Sequence, residues 1–280
     1  MPYQKINGVN LYYEVLNKDG KETVAFFNGV MASTSSWGYQ AALFEKMGYR
    51  VILHDFKGQL LSEKPEMPYL FKDHAAEAKG LFDFLGVEKL HLVGTSYGGE
   101  IAMRFAMDFP ETVKTISVIN SVSELDEMLR LFILGWKNLA AIGDAEAFYW
   151  GMTPTIYHPD YIQKNKHLLQ ERAESLKTLG KEAKEYFRGQ IILYDTFLNE
   201  VTMTHELQKI KCPALVVCGM EDILKPPKFS KIIAENIKNS ELAFIPDCGH
   251  VTIFEKPEVL NSLLLGFIGK NISSKKDLSG

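Results

Sequence analysis

The chain has 280 residues, a formal net charge of −4 and 24% charged residues of both signs. This length is enough for one domain with a large core, and the absence of a basic cluster argues against a nucleic-acid or anionic-membrane partner. The chain has three cysteines, no apolar signal core near its first residue and no stretch approaching about 18 apolar residues, so we expect a cytoplasmic protein without disulfide bonds.

Apolar runs typical of strands alternate with helical patterns in the first part of the chain. Two runs joined by Asn7-Gly8, a dipeptide common in tight turns, predict an opening hairpin. Further strands are predicted at residues 23–27, 50–55, 89–93 and 113–119, and helices at residues 37–47, 69–85 and 99–109. This alternation predicts a mostly parallel sheet with right-handed crossovers.

The segment that follows the sixth strand has helical rather than strand periodicity. We therefore expect helices inserted between the sixth and seventh strands, with breaks at residues 151–154 and 158–160. An aromatic cluster around Trp150, together with Met152 and Tyr157, predicts a lid that contacts the substrate. Ordinary packing within the inserted helices is the alternative interpretation of this cluster.

The sequence Gly94-Thr95-Ser96-Tyr97-Gly98 lies between the predicted strand at residues 89–93 and a predicted helix. In such a strand-to-helix turn the serine Oγ is exposed and the first amides of the helix face the reacting carbonyl, which suits a nucleophile. An ordinary Ser-Gly turn is the alternative interpretation. A nucleophilic Ser96 requires a histidine that takes its proton and a carboxylate that orients this histidine.

Candidates for both partners follow the last two strands, which are predicted at residues 213–218 and 241–245. The first of these strands leads into Glu221 and Asp222, and the second leads into His250. Because parallel strands end at one edge of a sheet, these loops and the serine turn are expected to meet there. We therefore predict His250 as the base, and one of the two neighbouring carboxylates as the acid, of a catalytic triad.

Beyond the serine turn, four segments resemble those of the α/β-hydrolase fold family, especially its capped cytoplasmic esterases and enol-lactonases. Residues 27–30 resemble the oxyanion segment, residues 55–62 the loop after the fourth strand, residues 219–222 the acid loop, and residues 249–258 the histidine loop. The resemblance implies that Asp222, rather than Glu221, is the acid. It also implies an oxyanion hole formed by the backbone N–H groups of Val30 and Tyr97.

The same resemblance implies an eight-stranded, mostly parallel sheet flanked by helices, with a helical cap inserted after the sixth strand. The expected division is a core of residues 1–122 and 207–270, a cap of residues 123–206 and a flexible tail of residues 271–280. Two departures from the family lie near the predicted site. Asn28 replaces the usual histidine, which is expected to change hydrogen bonding around the oxyanion hole, and Lys57 and Leu60 replace the more frequent arginine and glycine.

The predicted triad and the resemblance together imply a serine hydrolase that cleaves a carboxylic ester or lactone of a small, largely apolar molecule through an acyl-enzyme on Ser96. No cofactor or metal is expected, since neither an H-E-x-x-H nor a G-x-G-x-x-G motif occurs. Met31 is expected to contact the substrate. Relatives with an aspartate nucleophile are excluded by Ser96, and carbon–carbon bond hydrolases are disfavoured because Val251 replaces their usual tryptophan.

Two other functions are compatible with these residues. The same triad would catalyse thioester hydrolysis or acyl transfer, and some proteins of this fold are binding or signalling proteins with slow turnover. A small-molecule substrate or ligand is the expected partner, whereas the sequence leaves the oligomeric state open.

Overall fold

The computed structural model describes residues 2–178 and 180–272. The strands in this part of the chain are β1 (Tyr3–Ile6), β2 (Val9–Leu16), β3 (Thr23–Phe27), β4 (Arg50–His54), β5 (Leu90–Thr95), β6 (Val113–Ile119), β7 (Ala214–Gly219) and β8 (Ser240–Ile245). The helices are α1 (Gly38–Lys46), α2 (Phe71–Phe84), α3 (Tyr97–Asp108), α4 (Glu127–Ile142), α5 (Ala145–Ile156), α6 (Pro159–Lys164), α7 (Lys166–Lys177), α8 (Ala183–Glu200), α9 (Pro227–Asn236), α10 (Thr252–Glu255) and α11 (Pro257–Ile272).

These strands form one eight-stranded sheet in the order β1-β2-β4-β3-β5-β6-β7-β8. The pairs β1–β2 and β2–β4 are antiparallel, and every other neighbouring pair is parallel. The mostly parallel eight-stranded sheet expected from the sequence is thus confirmed. Strands β3, β5 and β7 are buried along their whole length, which explains their nearly continuous apolar runs.

Alternate residues of each central strand face opposite layers of helices. On β3, Phe26 packs against Phe44 of α1, whereas Phe27 packs against Phe82 of α2 and Phe105 of α3. The apolar core therefore lies on both faces of the sheet. This packing holds α3 against β3, β5 and β6, so that the start of α3 lies at the carboxyl ends of the central parallel strands.

Helices α4 to α8 occupy the segment between β6 and β7, and the described residues of this segment contain no strand. The break predicted at residues 151–154 is wrong, because α5 continues through Gly151 and Pro154. Pro154 lies in the last turn of α5, where its missing N–H removes only one backbone hydrogen bond. Gly151 lies against the end of the Leu139 side chain of α4. The break predicted at residues 158–160 coincides with the start of α6.

The last helix, α11, ends at Ile272, so residues 271 and 272 of the predicted flexible tail are helical. The rest of that tail lies outside the described residues, and the division of the chain into core and cap stays a prediction. Among the residues that the structure describes, no helix combines the length and apolarity needed to cross a membrane.

Candidate active site

Ser96 lies between β5 and α3 with the unusual backbone angles φ +52° and ψ −120°. Non-glycine residues rarely adopt a positive φ, so this position is strained and aims the side chain away from the sheet. The flanking glycines allow the turn, because a Cβ on Gly94 would clash with the carbonyl of Gly98, and a Cβ on Gly98 would clash with that of Phe27. The Ser96 N–H donates to the carbonyl of Ile119 (2.8 Å), which fixes the turn to β6.

The three side chains predicted as a triad lie together at the carboxyl edge of the sheet. His250 Nε2 is 2.9 Å from Ser96 Oγ, and His250 Nδ1 is 2.8 Å from Asp222 Oδ2. In the tautomer that this arrangement favours, Nδ1–H donates to the carboxylate and Nε2 accepts from the hydroxyl. His250 can therefore take the proton of Ser96 while Asp222 holds the imidazole in place.

Asp222 is held by donors on both of its carboxylate oxygens. Oδ1 accepts from the backbone N–H groups of Leu224 (3.0 Å) and Lys225 (2.8 Å), and Oδ2 accepts from Asn120 Nδ2 (2.9 Å) as well as from His250. These bonds fix the direction of the carboxylate. Asn120 is a site residue that the sequence reasoning missed, although its place directly after β6 was a signal, since polar residues at this edge of a parallel sheet often serve the site.

Glu221 has a different role from that of its neighbour. Its Oε2 accepts from the backbone N–H of Cys248 (3.0 Å), and its own N–H donates to the carbonyl of Cys248 (3.0 Å). A Cβ on Gly219 would clash with the carbonyl of Gly249, so glycine is needed where β7 meets the histidine loop. Glu221 therefore joins the acid loop to the histidine loop, and Asp222 alone of the two carboxylates contacts His250 among the residues described.

A buried ion pair lies behind the acid loop. Lys225 Nζ contacts both carboxylate oxygens of Glu100 on α3 (2.9 and 3.1 Å), and the Glu100 carboxylate also accepts from the backbone N–H of Val122 (3.0 Å). Burial raises the pKa of Glu100, and the Lys225 ammonium opposes this shift. The pair connects α3, the end of β6 and the acid loop. No sequence pattern pointed to this pair, because its members are 125 positions apart.

The histidine loop is attached to the end of α5. The His250 N–H donates to the carbonyl of Ile156 (2.8 Å). The Glu255 carboxylate accepts from the N–H groups of Gly249 (3.0 Å) and His158 (3.1 Å), and burial raises the pKa of Glu255 while these hydrogen bonds oppose the shift. The inserted helices therefore help to position the base. Sequence reasoning missed Glu255 because its partners are backbone groups.

The predicted oxyanion donors lie beside the nucleophile. Tyr97 is the first residue of α3, and a Cβ on Gly29, the neighbour of Val30, would lie 3.6 Å from Ser96 Cβ. Within residues 2–178 and 180–272, the backbone N–H groups of Val30 and Tyr97 have no hydrogen-bond acceptor. Two unpaired donors beside the serine are what stabilisation of an oxyanion requires.

Asn28 organises the loop that carries Val30. Its Oδ1 accepts from Trp37 Nε1 (2.8 Å), and its Nδ2 donates to Asp55 Oδ1 (3.0 Å) and Gln59 Oε1 (3.1 Å). Gln59 Nε2 in turn donates to the carbonyl of Gly29 (2.8 Å). Burial raises the pKa of Asp55 to about 6, although the hydrogen bonds from Asn28 and from the backbone N–H groups of Leu61 and Thr34 oppose this shift. The asparagine thus supports the loop through hydrogen bonds and does not itself approach the reacting atoms.

A cavity of about 400 Å³ opens over Ser96 and His250 and is lined mainly by apolar groups. Of the predicted substrate contacts, Met31, Met152 and Tyr157 line this cavity. Trp150 does not line it.

The position of Trp150 follows from the helical period of α5. Tyr149, Met152 and Ile156 share the face of α5 that lines the cavity, and Trp150 is rotated about 100° from Tyr149. The Trp150 ring instead packs edge-to-face on the Tyr149 ring, with centroids 5.3 Å apart. Trp150 therefore supports the cavity wall from behind.

The described residues contain no group of three or more His, Cys, Asp or Glu side chains arranged to hold a metal ion. Cys248 is buried in the histidine loop, and burial raises the pKa of its thiol to about 12. A protonated, buried thiol is a poor nucleophile, so Cys248 is a packing residue.

A serine elbow after β5, an acid after β7 and a histidine after β8, all at one edge of this sheet, define the α/β-hydrolase arrangement. The model of the family described as the alpha/beta hydrolase fold matches residues 22–149. The chain is a hydrolase with this fold.

Individual relatives cover nearly the whole chain. An α/β-hydrolase enzyme from a Medee basin deep-sea metagenome library has 29% sequence identity and a TM-score of 0.88, covering 99% of this chain and 100% of that structure. The putative carbamate hydrolase RutD of Azorhizobium caulinodans is 27% identical, covering 96% of this chain and 99% of the relative. The proline iminopeptidase of Lactobacillus helveticus is also 27% identical, covering 94% of this chain and 95% of the relative. The names of these two curated relatives refer to different bonds.

Proposed function

We propose that this protein is a serine hydrolase that cleaves a carboxylic ester or lactone of a small molecule through an acyl-enzyme on Ser96. The observation that carries the proposal is the continuous hydrogen-bond chain from Asp222 through His250 to Ser96, at the base of a mainly apolar cavity. An apolar cavity of this size suits a small molecule with few polar groups besides the reacting carbonyl.

The proposed reaction has two halves. In the first, Ser96 Oγ attacks the acyl carbonyl while His250 Nε2 takes its proton, and the N–H groups of Val30 and Tyr97 stabilise the oxyanion. His250 then protonates the leaving alcohol. In the second, His250 removes a proton from water, which attacks the acyl-enzyme and releases the carboxylic acid. Asp222 stabilises the imidazolium in both halves.

The charge of the cavity wall helps to decide which relative's type of substrate this cavity suits. An aminopeptidase substrate carries an ammonium group, which needs a carboxylate in the site. None of the described residues that line the cavity is an Asp or a Glu. This favours an ester or lactone over the N-terminal peptide bond cleaved by an iminopeptidase. A carbamate would undergo the same attack by Ser96, so it belongs in the substrate panel.

Replacement of the nucleophile tests the proposal. Ser96→Ala should reduce kcat on the best ester or lactone by about 10⁶-fold, because triad members act as a unit. The assay is a panel of p-nitrophenyl esters, simple lactones, acyl thioesters, a p-nitrophenyl carbamate and proline p-nitroanilide. Ser262→Ala, a change of an exposed serine on α11, is the matched control and should keep wild-type rates.

Labelling with a fluorophosphonate gives an independent measurement of the nucleophile. Wild-type protein should gain one phosphonyl group by intact mass, and Ser96→Ala should gain none. Preferred turnover of thioesters would instead favour a thioesterase. Labelling of Ser96 without turnover of any panel member would favour a binding protein that keeps the triad.

A further inference from the structure

The described wall of the cavity over the triad contains one side chain with a permanent charge. Arg172 of α7 lines the wall, and the described lining residues include no other Arg or Lys and no Asp or Glu. The remaining wall near α7 is apolar or weakly polar, with Leu176 and Ser175 as neighbours on the same helix. Arg172 is partly buried, and none of the described residues that line the cavity supplies a carboxylate to balance its charge.

The Arg172 guanidinium is held in place without an acidic partner. Its Nη1 donates to the Tyr157 hydroxyl (2.9 Å), and its central carbon lies 4.3 Å from the centroid of the Phe254 ring. Within the described parts of the chain, it forms no ion pair with a carboxylate. A guanidinium that is stacked on a ring and bonded through one nitrogen still has donors to offer a planar anion.

A further donor in the same wall lacks a partner. The Trp136 indole N–H is buried and makes no hydrogen bond within residues 2–178 and 180–272. Trp136 is 4% exposed and lines the cavity. The Tyr149 hydroxyl lies close to Arg172 and Tyr157, and burial raises the pKa of Tyr149, which keeps this hydroxyl protonated as a second donor in the wall. A buried donor without an acceptor in a cavity wall indicates that the ligand brings the acceptor.

We propose that Arg172 binds a carboxylate of the substrate, so that the substrate is an anionic half-ester or a carboxylated lactone. This inference rests on the proposed ester or lactone hydrolysis at Ser96. Guanidinium and carboxylate match in planar geometry, and one cation balances one negative charge, whereas a phosphate monoester carries about two at neutral pH. The apolar wall formed by Met152, Ile156 and Leu176 suits a short hydrocarbon segment in the same molecule.

An isosteric substrate pair measures this contact. p-Nitrophenyl hydrogen glutarate ends in a carboxylate, and p-nitrophenyl glutaramate ends in an uncharged amide of the same shape. Wild-type kcat/KM should favour the carboxylate by about 10- to 100-fold, the range expected for a charge-assisted hydrogen bond. Arg172→Met should lower this ratio to about one, and Arg172→Lys should give an intermediate ratio because lysine keeps the charge without the planar fork.

The matched control is Arg130→Met, which removes an exposed arginine of α4 that contacts Glu127 and lies outside the cavity wall. It should keep the wild-type ratio, and melting curves establish that each variant is folded. Equal wild-type kcat/KM for the two esters would overturn the proposal for Arg172 and leave the esterase proposal intact. Absence of turnover on every ester would overturn the proposed function.

A binding measurement decides the carboxylate contact independently of turnover. Calorimetry on Ser96→Ala protein should detect tighter binding of the glutaramate anion than of neutral glutaramide, and addition of Arg172→Met should remove the difference. Equal affinities for the two ligands in the Ser96→Ala protein would contradict the proposed contact whatever the catalytic activity.

Discussion

At the scale of single residues, the site depends on which of two adjacent carboxylates faces the histidine. Asp222 points into the loop and receives donors on both oxygens, whereas Glu221 points at the backbone of Cys248. Residue order along the chain could not separate them, because both follow the same strand. The distinction arises from the turn after β7, in which the Asp222 carboxylate accepts from the N–H groups that follow it.

The two carboxylates therefore differ in their effect on catalysis. Asp222→Asn should reduce kcat on a good ester about 10⁴-fold, because an amide at this position allows the wrong imidazole tautomer. Glu221→Gln should reduce kcat far less, since an amide oxygen can still accept a hydrogen bond from the Cys248 N–H. Steady-state kinetics on both variants, with melting curves for folding, provide the comparison. A larger loss for Glu221→Gln would mean that the acid is misassigned.

At the scale of elements, close backbone contacts decide how the loops of the site meet. Gly98 lets α3 approach the end of β3, and Gly219 lets β7 approach the histidine loop. The end of α5 completes this arrangement through the hydrogen bond from His250 N–H to the Ile156 carbonyl. The sequence identified Gly98 as part of a turn, but the structure was needed to identify the β3 carbonyl that excludes a Cβ there.

Gly98→Ala tests this packing. A Cβ would overlap the backbone carbonyl of Phe27, which cannot move without displacing β3, so we expect a loss of about 3 kcal/mol or more in unfolding free energy together with loss of hydrolase activity. The matched change is Gly135→Ala in α4, where a Cβ meets open space and should stabilise by about 0.5–1 kcal/mol. Urea titrations of both variants provide the measurement. Equal stability of Gly98→Ala and wild type would contradict the packing argument.

At the scale of the whole molecule, several histidines are buried without charge. Burial lowers the pKa of His54 to about 3 and that of His91 to about 4, and it lowers that of His74 well below its usual value. Below about pH 6.5 these histidines are protonated in the unfolded chain but stay neutral in the folded protein. Their contribution to stability is therefore lost as pH falls below about 6.5. The buried carboxyl groups with raised pKa, such as Asp55, act in the opposite direction.

A substitution of His54 measures the contribution of one buried histidine to the pH dependence of stability. Its ring lies among Phe27, Phe56 and Phe82, and neither ring nitrogen has a partner among the described residues. His54→Phe should therefore reduce the stability lost between pH 6.5 and pH 5 by about 2 kcal/mol relative to wild type. Urea denaturation at both pH values checks this, with exposed His167→Gln as the control. An unchanged pH dependence in His54→Phe would show that His54 is protonated in the folded protein.

The amino-acid order alone determined the alternation of strands and helices, the strained serine turn and the three loops that carry Ser96, Asp222 and His250. These features are local, since glycine spacing, apolar runs and turn residues act over a few positions. Only the tertiary structure decided the contacts of distant residues, including the Glu100–Lys225 pair and the attachment of the histidine loop to α5. The same holds for the cavity wall, in which the helical period directs Tyr149 inward and Trp150 away, and in which no carboxylate among the described residues pairs with Arg172. Such contacts depend on how helices pack against a sheet, and no short pattern in one chain records that geometry.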